Sequence, residues 1–116
     1  MKLYGIPNCN TVKKARDWLT QHDLTVEFHD FKKHGLTAGT AQSWLDQAGW
    51  NMLINRGGLT WRGLPEERKQ QVADHAGALA LMLDKTSVIK RPLLVRDGQL
   101  LHIGFDAAAY TKIFNL

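Results

Sequence analysis

Cysteine is almost absent from this chain: one residue, Cys9, in 116. A single cysteine excludes an intramolecular disulfide, so the fold must stand on packing alone. That suits a reducing compartment, and the cytoplasm is the expected location. A Cys-x-x-Cys pair is missing as well, because the third residue after Cys9 is Val12. Any disulfide Cys9 forms must therefore be with another molecule. Long apolar runs are lacking too. The longest, Ala76 to Leu83, falls far short of the about 20 residues that cross a bilayer. The N-terminus breaks at Gly5 and has neither an apolar h-region nor a small-residue cleavage site, so nothing marks it for secretion. The five histidines form no ligand set. His29 and His34 have no cysteine or acidic pair to complete a site, and no metal is expected. The chain also lacks a phosphate loop of P-loop type, a Ser-His-Asp candidate, an internal repeat and a low-complexity segment.

What remains is a normal globular composition. Hydrophobic residues make up 44% and charged residues 22%, enough for one compact domain with a real core. The net charge of +4 is mild. It suits an anionic small molecule or an acidic partner surface, and equally a solvated basic surface with no partner. No basic stripe with interleaved aromatics points to nucleic acid, and no segment points to a membrane.

Along the chain, Lys2 to Ile6 reads as a first strand, broken by Pro7-Asn8. Asn10 and Thr11 offer capping side chains to a helix through Gln21, with Val12, Ala15, Leu19 and Trp18 at helical spacing. Thr25 to Phe31 alternates as a second strand, which completes a βαβ unit. Lys32 to Gly35 reads as a loop. Thr37 caps a helix with Ala41, Trp44, Leu45 and Ala48 on one face, ended by Gly49. Trp50 to Ile54 reads as a helical turn, Asn55 to Gly58 as a loop, and Thr60 to Gly63 carries no clear signal. Leu64-Pro65-Glu66-Glu67 starts a helix. Ala73 to Leu83 forms another, with Leu79, Met82 and Leu83 expected inward. Leu93 to Arg96 and Gln99 to Ile103 form a hairpin through Asp97-Gly98. A last helix carries Ala109, Tyr110, Ile113 and Phe114. The order βαβ then ββα is that of the thioredoxin fold. The expected organisation is a single α/β domain over 1–116, with thioredoxin-fold parts 1–34 and 87–116 around an all-helical insertion at about 35–86. The four tryptophans are open between core and surface, with Trp61 a candidate for the neighbourhood of the site.

Cys9 sits at the mouth of the first helix. A thiol is a nucleophile only as thiolate, and free N–H groups with the helix dipole favour the charged form there. Lys13 and Lys14 add positive potential. A buried structural cysteine is the alternative, but a loop between Asn8 and Asn10, beside a proline, is a poor place to bury one. Arg91-Pro92 opens a strand, where proline is tolerated. In thioredoxin folds the corresponding X-Pro bond is cis and faces the cysteine. Arg56, in a glycine-rich loop, offers a planar fork for carboxylates and oxyanions.

Taken together, Pro7-Asn8-Cys9-Asn10-Thr11-Val12-Lys13-Lys14-Ala15, Asp30-Phe31-Lys32, Leu53-Ile54-Asn55-Arg56 and Ile89-Lys90-Arg91-Pro92-Leu93-Leu94-Val95 resemble the arsenate reductase (ArsC) family across nearly the whole chain. The chain looks most like the YffB subgroup, glutathione-dependent thiol reductases; the related Spx-type proteins bind RNA polymerase. In the arsenate reductases three arginines hold the oxyanion beside the nucleophilic cysteine. The cysteine matches Cys9, and two arginines match Arg56 and Arg91. The third falls where this chain has His102-Ile103, and the family's histidine before the cysteine loop falls on Gly5. The resemblance therefore implies Cys9 as catalytic nucleophile and glutathione as co-substrate. It implies a binding site of Arg56, Arg91, Pro92, Lys13 and Asn8. Three readings stay open. One is a monomeric, glutathione-dependent thiol–disulfide reductase. The second is an arsenate reductase working with glutathione and glutaredoxin. The third is a Spx-like module that contacts RNA polymerase.

Overall fold

A computed structural model describes residues 1–116. The chain divides into two compact units, one of Met1–His34 with Arg91–Leu116 and one of Gly35–Lys90.

The first unit is built on a four-stranded sheet in the order β2-β1-β3-β4. Strand β1 (Lys2–Gly5) pairs in parallel with β2 (Glu27–Asp30) and antiparallel with β3 (Leu93–Arg96), which pairs antiparallel with β4 (Gln99–Ile103). Parallel neighbours need a crossover element, and α1 (Asn10–Gln21) supplies it. Its Val12, Ala15 and Leu19 are buried, as the helical spacing requires. Leu3, Ala15, Leu19, Leu94 and Tyr110 form one core cluster, with Tyr110 supplied by α8 (Ala107–Ile113). Trp18 and Phe105 meet the Tyr110 ring edge-on. The fold is thioredoxin-like.

Three local expectations change. The cap of α1 is Cys9, not Asn10 or Thr11, because the chain stays extended through position 9 before it turns helical. β2 ends at Asp30, and Phe31 to His34 form a short helix, α2, rather than strand and loop. The Asp30 carboxylate accepts the N–H groups of Lys32 at 2.9 Å and Lys33 at 3.3 Å. Those two bonds satisfy donors at the new helix start.

The second unit is mostly helical. α3 (Ala38–Ala48) is capped by Thr37, whose Oγ1 accepts from the Thr40 N–H at 3.2 Å. Short helices follow: α4 (Trp50–Leu53), α5 (Leu59–Arg62) and α6 (Glu66–Gln70). The stretch from Thr60, which carried no signal, is thus part of α5. α7 (His75–Asp84) packs on α3 and buries Ala78, Leu81 and Met82. Leu83 is 36% exposed, so the inward face is turned relative to the expected one. The unit is not purely helical, since Ile54 and Ile89 form an antiparallel bridge.

Candidate functional site

The site begins where β1 ends. Pro7 and Asn8 turn the chain, and the Cys9 N–H reaches back to the Ile6 carbonyl at 3.4 Å. Cys9 itself is extended (φ −96°, ψ 127°), while its carbonyl already accepts the Lys13 N–H at 2.9 Å. It is therefore the residue from which the first N–H groups of α1 point outward. The thiol is partly exposed and unbridged. Partial burial pushes the thiol up. The Val12 N–H, the Arg91 side chain, the Thr11 N–H and the Arg91 charge together outweigh it, and the thiol lies below its ordinary value. The thiolate is thus the form that this corner of the unit favours.

Arg91 is brought to Cys9 by the start of β3, which lies beside β1 in the sheet. The peptide bond that follows, Arg91-Pro92, is cis. Pro92 is buried, and its carbonyl accepts the Gly104 N–H at 2.8 Å. Asn8 and Lys13 are exposed on either side of Cys9 in the chain. Arg91 acts on the sulfur by hydrogen bond and charge, while Lys13 and Lys14 are exposed in the first two turns of α1.

Two departures from the arsenate reductase pattern acquire a physical form. Ile103 stands opposite Leu93 in the β3–β4 ladder, so the place of a third arginine is apolar. Gly5 is buried, and a Cβ built on it would lie 2.8 Å from Val12 Cγ2. With Val12 fully buried, any side chain at position 5 would press on Val12 unless one of the two shifts.

Arg56 belongs to the second unit. It follows α4 in a turn anchored by the Asn55 N–H on the Val88 carbonyl at 2.7 Å. Its Nη2 donates to Asn51 Oδ1 at 2.9 Å, and its Cζ lies 4.7 Å from the Trp50 ring centroid and 5.9 Å from that of Trp61. Trp50 and Asn51 were not singled out by sequence. The available signal was a tryptophan on each side of a loop arginine, a spacing that means nothing until α4 and α5 are known to be helical turns. No group of three or more histidine, cysteine or acidic side chains is placed to hold a metal ion.

The sequence model of the ArsC family matches residues 4–113. The chain is 38% identical over 112 residues to an uncharacterized protein of Haemophilus influenzae, covering 97% of this chain and 96% of that one. Among solved structures, the YFFB protein is similar at 42% identity and a TM-score of 0.89, over 95% of each chain. An arsenate reductase (ArsC) related protein from Brucella melitensis is similar at 47% identity and a TM-score of 0.77, over 100% of this chain and 97% of that one.

Proposed function

Because this chain belongs to the ArsC family, we propose that it is an oxidoreductase of the cytoplasm, a monomeric thiol–disulfide reductase that uses Cys9 as its only nucleophile and glutathione as co-substrate. The observation that carries this reading is the place of the lone thiol: Cys9 is unbridged, partly exposed and the N-cap of α1, where the helix N–H groups and Arg91 favour the thiolate. The Cys9 thiolate attacks one sulfur of a substrate disulfide. The S–S bond breaks, the leaving thiolate takes a proton from solvent, and Cys9 is left in a mixed disulfide. A glutathione thiolate then attacks that disulfide and releases Cys9 as thiolate. A second glutathione reduces the departing glutathione-mixed disulfide. Two glutathione thiols are thus oxidised to one disulfide for each substrate disulfide reduced. With no second cysteine in the chain, resolution from outside is the only route that balances.

Arg91 stabilises the thiolate and meets a carboxylate of glutathione. Asn8, Lys13 and Pro92 complete the contacts. Arsenate is the second reading, supported by the naming of similar structures as arsenate reductase related. An oxyanion needs its charge met on several sides, and Ile103 removes one of them. Reduction of arsenate with glutathione and glutaredoxin is therefore expected to be slight.

The test is intact mass after incubation with glutathione disulfide. A single glutathione adduct, absent in Cys9→Ser and removed by fresh glutathione, is the expected result. No adduct on the native chain, or reductase activity unchanged in Cys9→Ser, overturns the reading. Recovery of RNA polymerase subunits with an unreactive Cys9 would instead favour the Spx-like module.

A further inference from the structure

Proline has no N–H, so the main chain can tie Pro92 down only by its carbonyl. The sheet ladders stop short of it. β3 pairs with β1 as far as Leu93 opposite Tyr4, and with β4 as far as Leu93 opposite Ile103. Arg91 and Pro92 lie just beyond both. The Pro92 carbonyl is held instead by the Gly104 N–H at 2.8 Å. Gly104 is itself fixed from two sides. Before it, Ile103 is set in the ladder. After it, Phe105 meets the fully buried Tyr110 edge-on at 4.9 Å, and the Asp106 carboxylate accepts the Ala108 N–H at 2.9 Å to start α8. The chain makes this turn with Gly104 at φ +83°, a conformation that residues with a Cβ rarely adopt. A Cβ there would meet no atom within 4 Å. The demand for glycine is therefore one of backbone conformation and not of space.

We propose that Gly104 is a positioning residue for the thiol chemistry: its turn aims the N–H that holds the Pro92 carbonyl, and that bond keeps Arg91 against the Cys9 sulfur. The proposal rests on the reductase reading above and names what holds Arg91 in place. Arg91 acts on the thiolate by a hydrogen bond as well as by charge, and a hydrogen bond weakens steeply with misalignment. A long side chain also has rotamer freedom that opposes any fixed contact. Anchoring the residue next to Arg91 limits how far the root of that side chain can wander. A turn disturbed at Gly104 thus reaches the sulfur through two covalently linked residues. Gly98 supplies a comparison within the same hairpin. It lies at the opposite end of β4, at φ +81° and likewise with nothing within 4 Å of a Cβ. Substitution there strains the backbone in the same way but away from Pro92.

The experiment measures the pH midpoint of Cys9 alkylation by iodoacetamide in the full chain, with urea denaturation alongside. Gly98→Ala and Gly104→Ala should both lower the urea midpoint. Only Gly104→Ala should raise the alkylation midpoint, by about 0.3 in pH or more, which slows the reaction at pH 7 about twofold or more. Gly104→Asn, whose side chain tolerates positive φ better, should raise it less than alanine does. Added to Arg91→Met, Gly104→Ala should raise the midpoint no further, because both act through one guanidinium. An unchanged midpoint in Gly104→Ala, an equal rise in Gly98→Ala, or a further rise on top of Arg91→Met would each overturn the proposal. Should Gly104→Ala fail to fold, the rise in Gly104→Asn must still exceed that in Gly98→Asn. If Cys9 takes a glutathione adduct while Gly104→Ala alkylates like the parent, this proposal falls and the reductase reading stands. If the parent takes no adduct, the reductase reading falls, and the alkylation comparison still decides the role of Gly104.

Discussion

Burial and hydrogen bonding pull the Cys9 thiol in opposite directions. The larger single influence, partial burial, raises it, but two helix N–H groups and Arg91 bring it below its ordinary value. A group with a depressed value in the folded chain has lost a proton that the unfolded chain still holds. Its contribution to stability is therefore present at pH above the unfolded value and is lost as pH falls through the folded one. The same depression sets reactivity. Alkylation of Cys9 by iodoacetamide should show a midpoint below the about 8.5 of a free thiol. Arg91→Met removes a hydrogen bond and a charge while leaving the burial, so its midpoint should rise, and the rate at pH 7 should fall roughly threefold or more. An unchanged midpoint in Arg91→Met would show that the helix terminus acts alone. Cys9 was legible because a polar loop just before a helical pattern gives a thiol no core to join and leaves it beside free N–H groups. That it is itself the cap was not, since asparagine and threonine are better caps in general and both follow it immediately. The choice is made by where the extended backbone of β1 and its turn run out, which no single side chain announces.

Between elements, the tightest control over the site is the approach of β1 to α1 at Gly5 and Val12. Gly5 lacks the Cβ that would otherwise meet Val12 Cγ2 at 2.8 Å. Val12 has little room to yield, being β-branched in a helix and fully buried. Gly5→Ala should thus destabilise the chain by about 1–3 kcal/mol through overpacking. Val12→Ala should destabilise as well, by loss of packing. In the double variant the new methyl occupies space that Val12 vacates, so its cost should fall at least about 0.5 kcal/mol below the sum of the single costs. Urea denaturation of the four proteins checks this, and simple additivity would mean that Val12 moves aside freely. Element positions in the sequence were readable wherever caps and periodicity agreed, as with Thr37 and α3. They failed where the pattern had no contrast. α7 reads His-Ala-Gly-Ala-Leu-Ala-Leu-Met-Leu-Asp and is apolar nearly all round, so periodicity could not choose its inner face. The Asp74 cap and the packing on α3 chose it, and Leu83 turned outward. At the end of β2 the alternation ran on to Phe31, but the Asp30 carboxylate offered the next two N–H groups a better partner than a sheet edge.

Over the whole molecule the net charge is +4, and no buried polar or charged residue offsets a core that is otherwise apolar. The charge lies on the surface, where it acts on approaching ligands and is screened by salt. The sequence predicted this balance without help from the fold, because charge adds regardless of position. It could not predict which cations act at short range, because Lys13 and Lys14 lie nearer to Cys9 in the chain than Arg91 does, yet Arg91 is the one that meets the sulfur. The two ranges separate experimentally. An anionic disulfide, glutathione disulfide, should react with Cys9 at a rate that falls about two- to tenfold as ionic strength rises from about 0.01 to about 0.15 M, over which the Debye length shortens from about 30 to about 8 Å. A neutral disulfide, bis(2-hydroxyethyl) disulfide, should react at a nearly constant rate, because the contact between Arg91 and the sulfur is too short for salt to intervene. Stopped-flow measurement of both reagents decides between the two ranges. Equal losses for both would mean that salt disturbs the thiolate itself, and no loss for either would mean that the surface charge does not guide the substrate.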